Sequence, residues 1–491
     1  MDFTFNGIKS IFFDNRTTRQ TIFKNTFWSA VSVVMDRLLK FILLIYVARI
    51  LGATEYGKFT FALSFISLFA FFHSFSLPAI ITREFAREEE NKEEFYSIIS
   101  LKILLSFISF LLILLGSFFI TSYPDIRIII SILAISSLLN GFTTVFYAFF
   151  QARQRMEYET WAEIFQAIIV TGLGLLVLFK FPSVINLSYS YLLAGLAGFI
   201  FVIIFFNSKL FPLKIHWDKK VWWKFLVMSW PLVLTGLFGT LYSYIDSVML
   251  GYRGMIIETG LYNAAYRIIF VALMPMSLIS GSFYPALSGF FKKSKEKLQK
   301  AWEHQMELMI LLSLPLVVGG IVLAPKIILS IYSAEYAGSI LTLQILIIMA
   351  ALTFLCRPFS DVIIVSNQQK KAFWVTFWGA VINIILNLIL IPKYSLNGAA
   401  VATVITYIVI LVMYFLQTMK FTPINPISLK FIFSFIISAV CCMPMYFVIA
   451  QPKIYNLNVF LSVTIGTIIY FAAFFALKFL LKRFKAVEEK L

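Results

Sequence analysis

Charge is scarce in this chain. Only 13% of its 491 residues are Asp, Glu, Lys or Arg, about half the fraction usual in soluble domains, which excludes a soluble globular fold. Cysteine is nearly absent: Cys356, Cys441 and Cys442 lie in or beside apolar stretches without metal-ligand spacing. A disulfide framework and a thiolate metal site are therefore excluded, and Cys441-Cys442 reads as lipid-facing or packing material. The three histidines, His73, His216 and His304, are scattered and form no catalytic constellation. His73 reads as a satisfied buried imidazole. No glycine-rich nucleotide loop is present, which argues against ATP-driven pumping by this chain alone. Long hydrophilic loops are missing as well, and with them the external acid/base residues that a membrane glycosyltransferase or ligase needs.

What is present is apolar surface, with 60% hydrophobic and 17% aromatic residues. Apolar runs bounded by charge clusters or Pro/Gly turns predict an all-α polytopic membrane protein of about fourteen transmembrane helices, each of roughly 20 residues. The first run covers 25–50, the seventh 225–250, the eighth 260–285, and the eleventh and twelfth 372–391 and 397–417. The net charge of +17 sits in short gaps between runs. It forms no separate basic domain, so a membrane reading precedes a nucleic-acid one, and no nucleic-acid partner is expected. Lys209, Lys214, Lys219, Lys220 and Lys224, then Lys292, Lys293, Lys295, Lys297 and Lys300, all fall in gaps on one side. Both termini are accordingly expected in the cytoplasm of a cell carrying this multi-pass protein in its plasma or inner membrane.

The chain also repeats itself. Leu51-Gly52, then Glu55-Tyr56-Gly57-Lys58-Phe59 and Ala62, recurs as Leu250-Gly251, then Glu258-Thr259-Gly260-Leu261-Tyr262 and Ala265. The polar boundary Ala152-Arg153-Gln154-Arg155-Met156-Glu157-Tyr158 recurs as Asn367-Gln368-Gln369-Lys370-Lys371-Ala372-Phe373. A parallel repeat in an apolar chain predicts two pseudo-symmetric six-helix lobes related by an axis along the membrane normal. The expected segments are a cytoplasmic stretch 1–24, a first lobe with its loop 25–224, a second 225–428, two further helices in 429–481, and a cytoplasmic tail 482–491.

An ionised side chain at the centre of a span costs about 2.5–3.5 kcal/mol on insertion scales, so each needs a partner or water. Ser29, Ser32, Asp36 and Lys40 share one face of the first span, with Arg37 beside them. That face is expected to line a wet cavity; mutual neutralisation of Asp36 and Lys40 is the simpler alternative, and it leaves Arg37 unexplained. Arg267 follows Asn263 by one turn in the eighth span, and arginine's planar fork suits phosphate. Arg37 and Arg267 are thus candidates to grip a diphosphate. Arg49 and Arg357 lie near span ends, where a long side chain also snorkels to the interface. Asp246 stands in a small and polar stripe of the seventh span, Asn383 and Asn387 share a face of the eleventh, and Thr403 lies in the twelfth. These are hard oxygen ligands suited to sodium, with a hydrogen-bonded polar seam as the alternative. Glu163, Glu303 and Glu307 read as interfacial, and the acidic run Glu88-Glu89-Glu90 with Glu93-Glu94 as a solvated loop face.

Lys24-Asn25-Thr26-Phe27-Trp28-Ser29 and Ala48-Arg49-Ile50-Leu51-Gly52-Ala53-Thr54-Glu55-Tyr56-Gly57 resemble the opening of polysaccharide-biosynthesis flippases of the multidrug/oligosaccharidyl-lipid/polysaccharide exporter superfamily. Ile391-Pro392-Lys393-Tyr394-Ser395-Leu396-Asn397-Gly398-Ala399-Ala400 is similar to that family's turn between the eleventh and twelfth helices. The resemblance implies a two-lobed carrier that moves a polyprenyl-diphosphate-linked oligosaccharide from the inner to the outer leaflet. It implies cavity arginines at Arg37 and Arg267; the residues themselves add Asp36, Lys40 and Arg49 to the expected substrate-facing set. It also implies an ion site at Asp246, Asn383, Asn387 and Thr403, where Asn387 departs from the aspartate of some relatives. Coupling to Na+ or H+, no cofactor, glycosyltransferase or polymerase partners and action as a monomer are the corresponding expectations. A drug/cation antiporter of the same superfamily, a membrane glycosyltransferase and a purely structural membrane protein are the rival readings. Three cationic cavity residues count against the first, the missing external loop against the second, and buried charge against the third.

Overall fold

The computed structural model describes residues 12–15, 17–87 and 92–488. Residues 1–11 and 16 of the amino-terminal segment, Glu88, Glu89 and Glu90 of the acidic run, and 489–491 of the tail lie outside the described residues. Among the described residues there is no strand. The helices are α1 (Thr18–Ser74), α2 (Leu77–Phe85), α3 (Lys92–Ile120), α4 (Pro124–Ala152), α5 (Met156–Lys180), α6 (Val184–Lys209) and α7 (Lys219–Tyr252). They continue with α8 (Ile256–Ala272), α9 (Met274–Phe291), α10 (Lys295–Ile331), α11 (Ser339–Val365), α12 (Gln369–Phe421), α13 (Leu429–Ile449), the single turn α14 (Pro452–Tyr455) and α15 (Val459–Glu488).

Helix starts follow from short polar side chains that accept otherwise unsatisfied amide protons. Thr17 caps α1, Ser183 α6, Asp218 α7, Ser294 α10 and Ser428 α13. At 1.5 Å per residue α1 is about 86 Å long, far more than a bilayer core of ~30 Å. It is broken at Gly52, whose φ of 79° lies in the left-handed region. A side chain there would be strained. α12 is similarly long, contains Pro392 and breaks at Ser395, φ 51°. Eleven helical segments among the described residues are long and apolar enough to cross a membrane, as befits a multi-pass membrane protein.

The chain divides into two compact units, Met1–Gly260 and Leu261–Leu491. In the first, α1 packs against α3, α4, α5 and α7, while α4 and α5 pack on α6. Its core is aromatic: Phe95 lies 4.8 Å from Phe149 and 5.4 Å from Phe206, and Phe206 5.1 Å from Phe211, centroid to centroid. Offset and edge contacts of this kind add about 0.5–1.5 kcal/mol each beyond area burial. α7, which the repeat assigns to the second lobe, belongs by its contacts with α1 to this unit. In the second unit α10 packs on α9, α11 and α13, α11 on α12, and α13 on α15. Cys441 and Cys442 are buried there with Leu323, Met445 and Tyr470, as packing material. Large apolar side chains left outside, such as Phe119, Phe447 and Phe460, suit contact with lipid tails.

Candidate functional site

In the first unit the charged face of α1 lies along α5. Thr160 Oγ1 donates to the Trp28 carbonyl at 3.0 Å, fixing the register of the two helices. One turn on, the Ser32 hydroxyl donates to the Glu163 carboxylate. Glu163 is also near enough to Asp36 and Lys40 to interact with both charges. It therefore belongs to the polar α1 face rather than to the interface, where sequence alone placed it. Asp36 and Lys40 form an i,i+4 ion pair at 2.7 Å, with their side chains 31% and 47% exposed. Pairs that open to water are worth only about 0.2–1 kcal/mol, so this one leaves both groups available for exchange with a ligand. Arg37 is half-buried and Arg49 exposed.

Nearer the start of α1 the chemistry is sealed. Lys24 Nζ lies 2.8 Å from Glu157 Oε2, with both side chains out of solvent, and 3.0 Å from the Gln154 carbonyl. Leaving such a carboxylate without its partner costs about 3–5 kcal/mol.

A second buried cation, Lys102, escaped the sequence reading. It is fully buried, and its ammonium donates to the His73 carbonyl at 2.6 Å. Its position follows from the end of α1, where Phe75 and Ser76 both adopt left-handed φ and leave carbonyls without helical partners. His73 is buried as expected but only half satisfied: Nε2 stands 3.4 Å from Ser137 Oγ, and Nδ1 has no hydrogen-bond partner among the described residues. The available signal was one lysine within an otherwise apolar run.

Arg267 and Asn263 fall in the second unit. Arg267 is about 17 Å along α8, half-buried, with its Nε buried and unbonded among the described residues. Of the four residues expected to hold a cation, Asp246 is buried in the first unit and Asn383, Asn387 and Thr403 in the second. Asn387 Nδ2 donates to Asn383 Oδ1 at 3.1 Å, and Thr403 donates to the Ala399 carbonyl at 3.0 Å. Asn383 Nδ2 is buried without a hydrogen-bond partner among the described residues. Glu303 pairs with Lys430 at 2.6 Å, and Glu307 faces His304 at 3.7 Å. Arg357, the snorkelling candidate, instead bonds to Asp361 and Ser280, neither of which sequence reading singled out.

The family described as "Polysaccharide biosynthesis protein" matches residues 22–291. Capsular polysaccharide biosynthesis protein CapF of Staphylococcus aureus is 22% identical over 403 residues, 80% of this chain and 98% of that one. The probable low-salt glycan biosynthesis flippase Agl15 of Haloferax volcanii is 24% identical over 207 residues, 41% of this chain and 42% of that protein. Among solved structures, lipid II flippase MurJ in an inward closed conformation superposes with a TM-score of 0.74 at 16% identity, covering 92% of this chain and 98% of that one. That likeness is one of fold.

Proposed function

The chain belongs to the polysaccharide biosynthesis protein family, and on that premise we propose that it is a flippase translocating a polyprenyl-diphosphate-linked oligosaccharide from the cytoplasmic to the outer leaflet. The observation that carries this reading is Arg267: a permanently charged side chain deep in an apolar helix, with no ion pair among the described residues. A cation so placed calls for water or for an anion brought by a ligand. Arg37 and Lys40 add positive charge from α1, and a diphosphate linker is the anion that such groups recognise.

The cycle is alternating access by lobes 25–224 and 225–428, with 429–481 as two further helices. The eleven segments leave out α1; splitting α12 at Ser395 makes twelve, and adding α1 as two spans about Gly52 makes fourteen. An even count puts both termini on one side, which the lysine-rich gaps make the cytoplasm of a plasma or inner membrane. Expulsion of the anionic headgroup is favoured by an inside-negative potential, by about 2.3 kcal/mol per charge per 100 mV. Re-entry of Na+ or H+ through Asp246, Asn383, Asn387 and Thr403 resets the cycle. The names of CapF and Agl15 support a glycan-assembly role; glycosyltransferases or polymerases as partners and a single chain as the working unit complete the proposal.

The test is transport of a defined lipid-linked sugar in reconstituted vesicles. Arg37→Ala and Arg267→Ala, inserted at normal level, abolish it on this reading. Undiminished transport by both would overturn the proposal. An antiporter of cationic drugs has no use for Arg37, Lys40 and Arg267, and efflux of such drugs with no movement of lipid-linked sugar would favour that rival.

A further inference from the structure

Within the second unit α9, α10 and α11 converge on one buried carboxylate. The side chain of Asp361 is only 1% exposed, and three donors from three helices point at it. Ser280 Oγ donates to Asp361 Oδ2 at 2.5 Å, Gln305 Nε2 to the same oxygen at 2.8 Å, and Arg357 Nε lies 3.0 Å from Oδ1. Arg357 Nε also donates to Ser280 Oγ at 2.7 Å. Every proton in this chain of bonds thus runs toward Asp361, which only accepts.

The consequence lies at the other end of Arg357. Its inner nitrogen is fixed by Ser280 and Asp361, while Nη1 and Nη2 make no hydrogen bond among the described residues. The side chain is 43% exposed, yet from Phe354 to Val365 it is the only exposed residue of α11. A snorkelling arginine would be loosely held at a helix end; this one is clamped at its inner nitrogen about 12 Å before the end of α11. On α9, which supplies Ser280, the exposed positions include Ser277, Gly281, Ser282 and Ser288 beside the apolar Leu278 and Tyr284, so small and polar residues interrupt a surface that a purely lipid-facing helix would fill with Leu or Phe. A guanidinium whose rotamer is set in advance and whose outer edge is free is suited to two parallel bonds with a phosphate.

We propose that Arg357 is a phosphate-binding residue of the second unit, with Asp361, Ser280 and Gln305 as positioning residues, and that its ligand is the diphosphate of the lipid-linked substrate. The assignment rests on the flippase reading and deepens it: Arg357 sets selectivity for diphosphate over uncharged or singly phosphorylated lipid.

The experiment measures binding of geranylgeranyl diphosphate, geranylgeranyl monophosphate and geranylgeraniol to the full chain in nanodiscs, with inorganic pyrophosphate as competitor. The wild type prefers the diphosphate, and pyrophosphate competes. Arg357→Ala lowers the preference of diphosphate over alcohol about tenfold or more, the scale of a lost charge-assisted bond. Arg357→Lys lowers it too, because lysine has no second planar edge, while Ser280→Thr, which keeps the hydroxyl, retains it. Since Arg357→Ala leaves Asp361 buried and unpaired, the double variant Arg357→Gln with Asp361→Asn is measured alongside as a folded, uncharged pair. A preference unchanged in both variants overturns the role of Arg357 and leaves the flippase reading standing. A wild type that shows no preference for diphosphate overturns both.

Discussion

Gly57 and Gly260, equivalent positions of the sequence repeat, stand against each other's backbone. A β-carbon on Gly57 would lie 2.0 Å from the Ile256 carbonyl oxygen, and one on Gly260 would lie 2.3 Å from that of Ala53. The obstacle in each case is main chain, which does not swing aside as a side chain does. Overpacking at such a contact costs about 1–3 kcal/mol. Gly57→Ala and Gly260→Ala therefore lower the thermal midpoint in detergent, whereas Gly236→Ala, with nothing within 4 Å of its added carbon, leaves it unchanged.

Lys24→Met leaves the buried Glu157 with Arg155, 3.3 Å away and partly exposed, as its remaining ion partner and reduces stability by up to about 3–5 kcal/mol. Adding Glu157→Gln to the same variant recovers most of that loss. Chemical denaturation of the four members of this cycle gives the coupling directly; additive losses would show that the pair is not the unit of stability.

Lys102 presents the opposite case, a buried cation with no carboxylate partner among the described residues. Desolvating a lone ammonium costs several kcal/mol, more than the about 1.5–3 kcal/mol returned by one charged hydrogen bond. Lys102→Met is expected to raise the thermal midpoint, while Lys102→Ala, which opens a cavity, lowers it. A fall with Met would mean that capping the end of α1 outweighs the desolvation.

The sodium site proposed above, with Asp246 as its carboxylate, predicts a salt-specific stabilisation. At ten times the dissociation constant, a ligand bound only by the folded state adds about 1.4 kcal/mol. Thermal midpoints in NaCl and in equimolar KCl then differ for the wild type and coincide for Asp246→Asn. Equal midpoints for the wild type would remove the cation site from the mechanism.

The membrane helices were legible because apolar runs end at charge, and a bilayer tolerates little else. Two of the joints were legible in place but not in kind: the gaps after 50 and between 391 and 397 hold the breaks at Gly52 and Ser395, but helix continues on both sides, so each is a single residue rather than a loop. Asp36 and Lys40 were legible because their four-residue spacing stands out in an apolar run. The same spacing joins Arg357 to Asp361, but the partners that give the pair its meaning, Ser280 and Gln305, come from other helices. Helical periodicity carries no information about those. Glu163 was read from its place near a span's start, whereas its partner Ser32 lies 131 residues away. Lys102 pairs with a carbonyl, and no side-chain pattern announces that.

The mutual contact of Gly57 and Gly260 also bears on how the two copies of the repeat can diverge. Elsewhere an enlarged residue in one copy is absorbed by trimming its neighbour in the other, and the copies drift apart in company. Here the neighbour is a peptide carbonyl that every amino acid carries, so no compensating mutation exists. These two positions are tied to glycine by the main chain that each one meets in the other copy of the repeat.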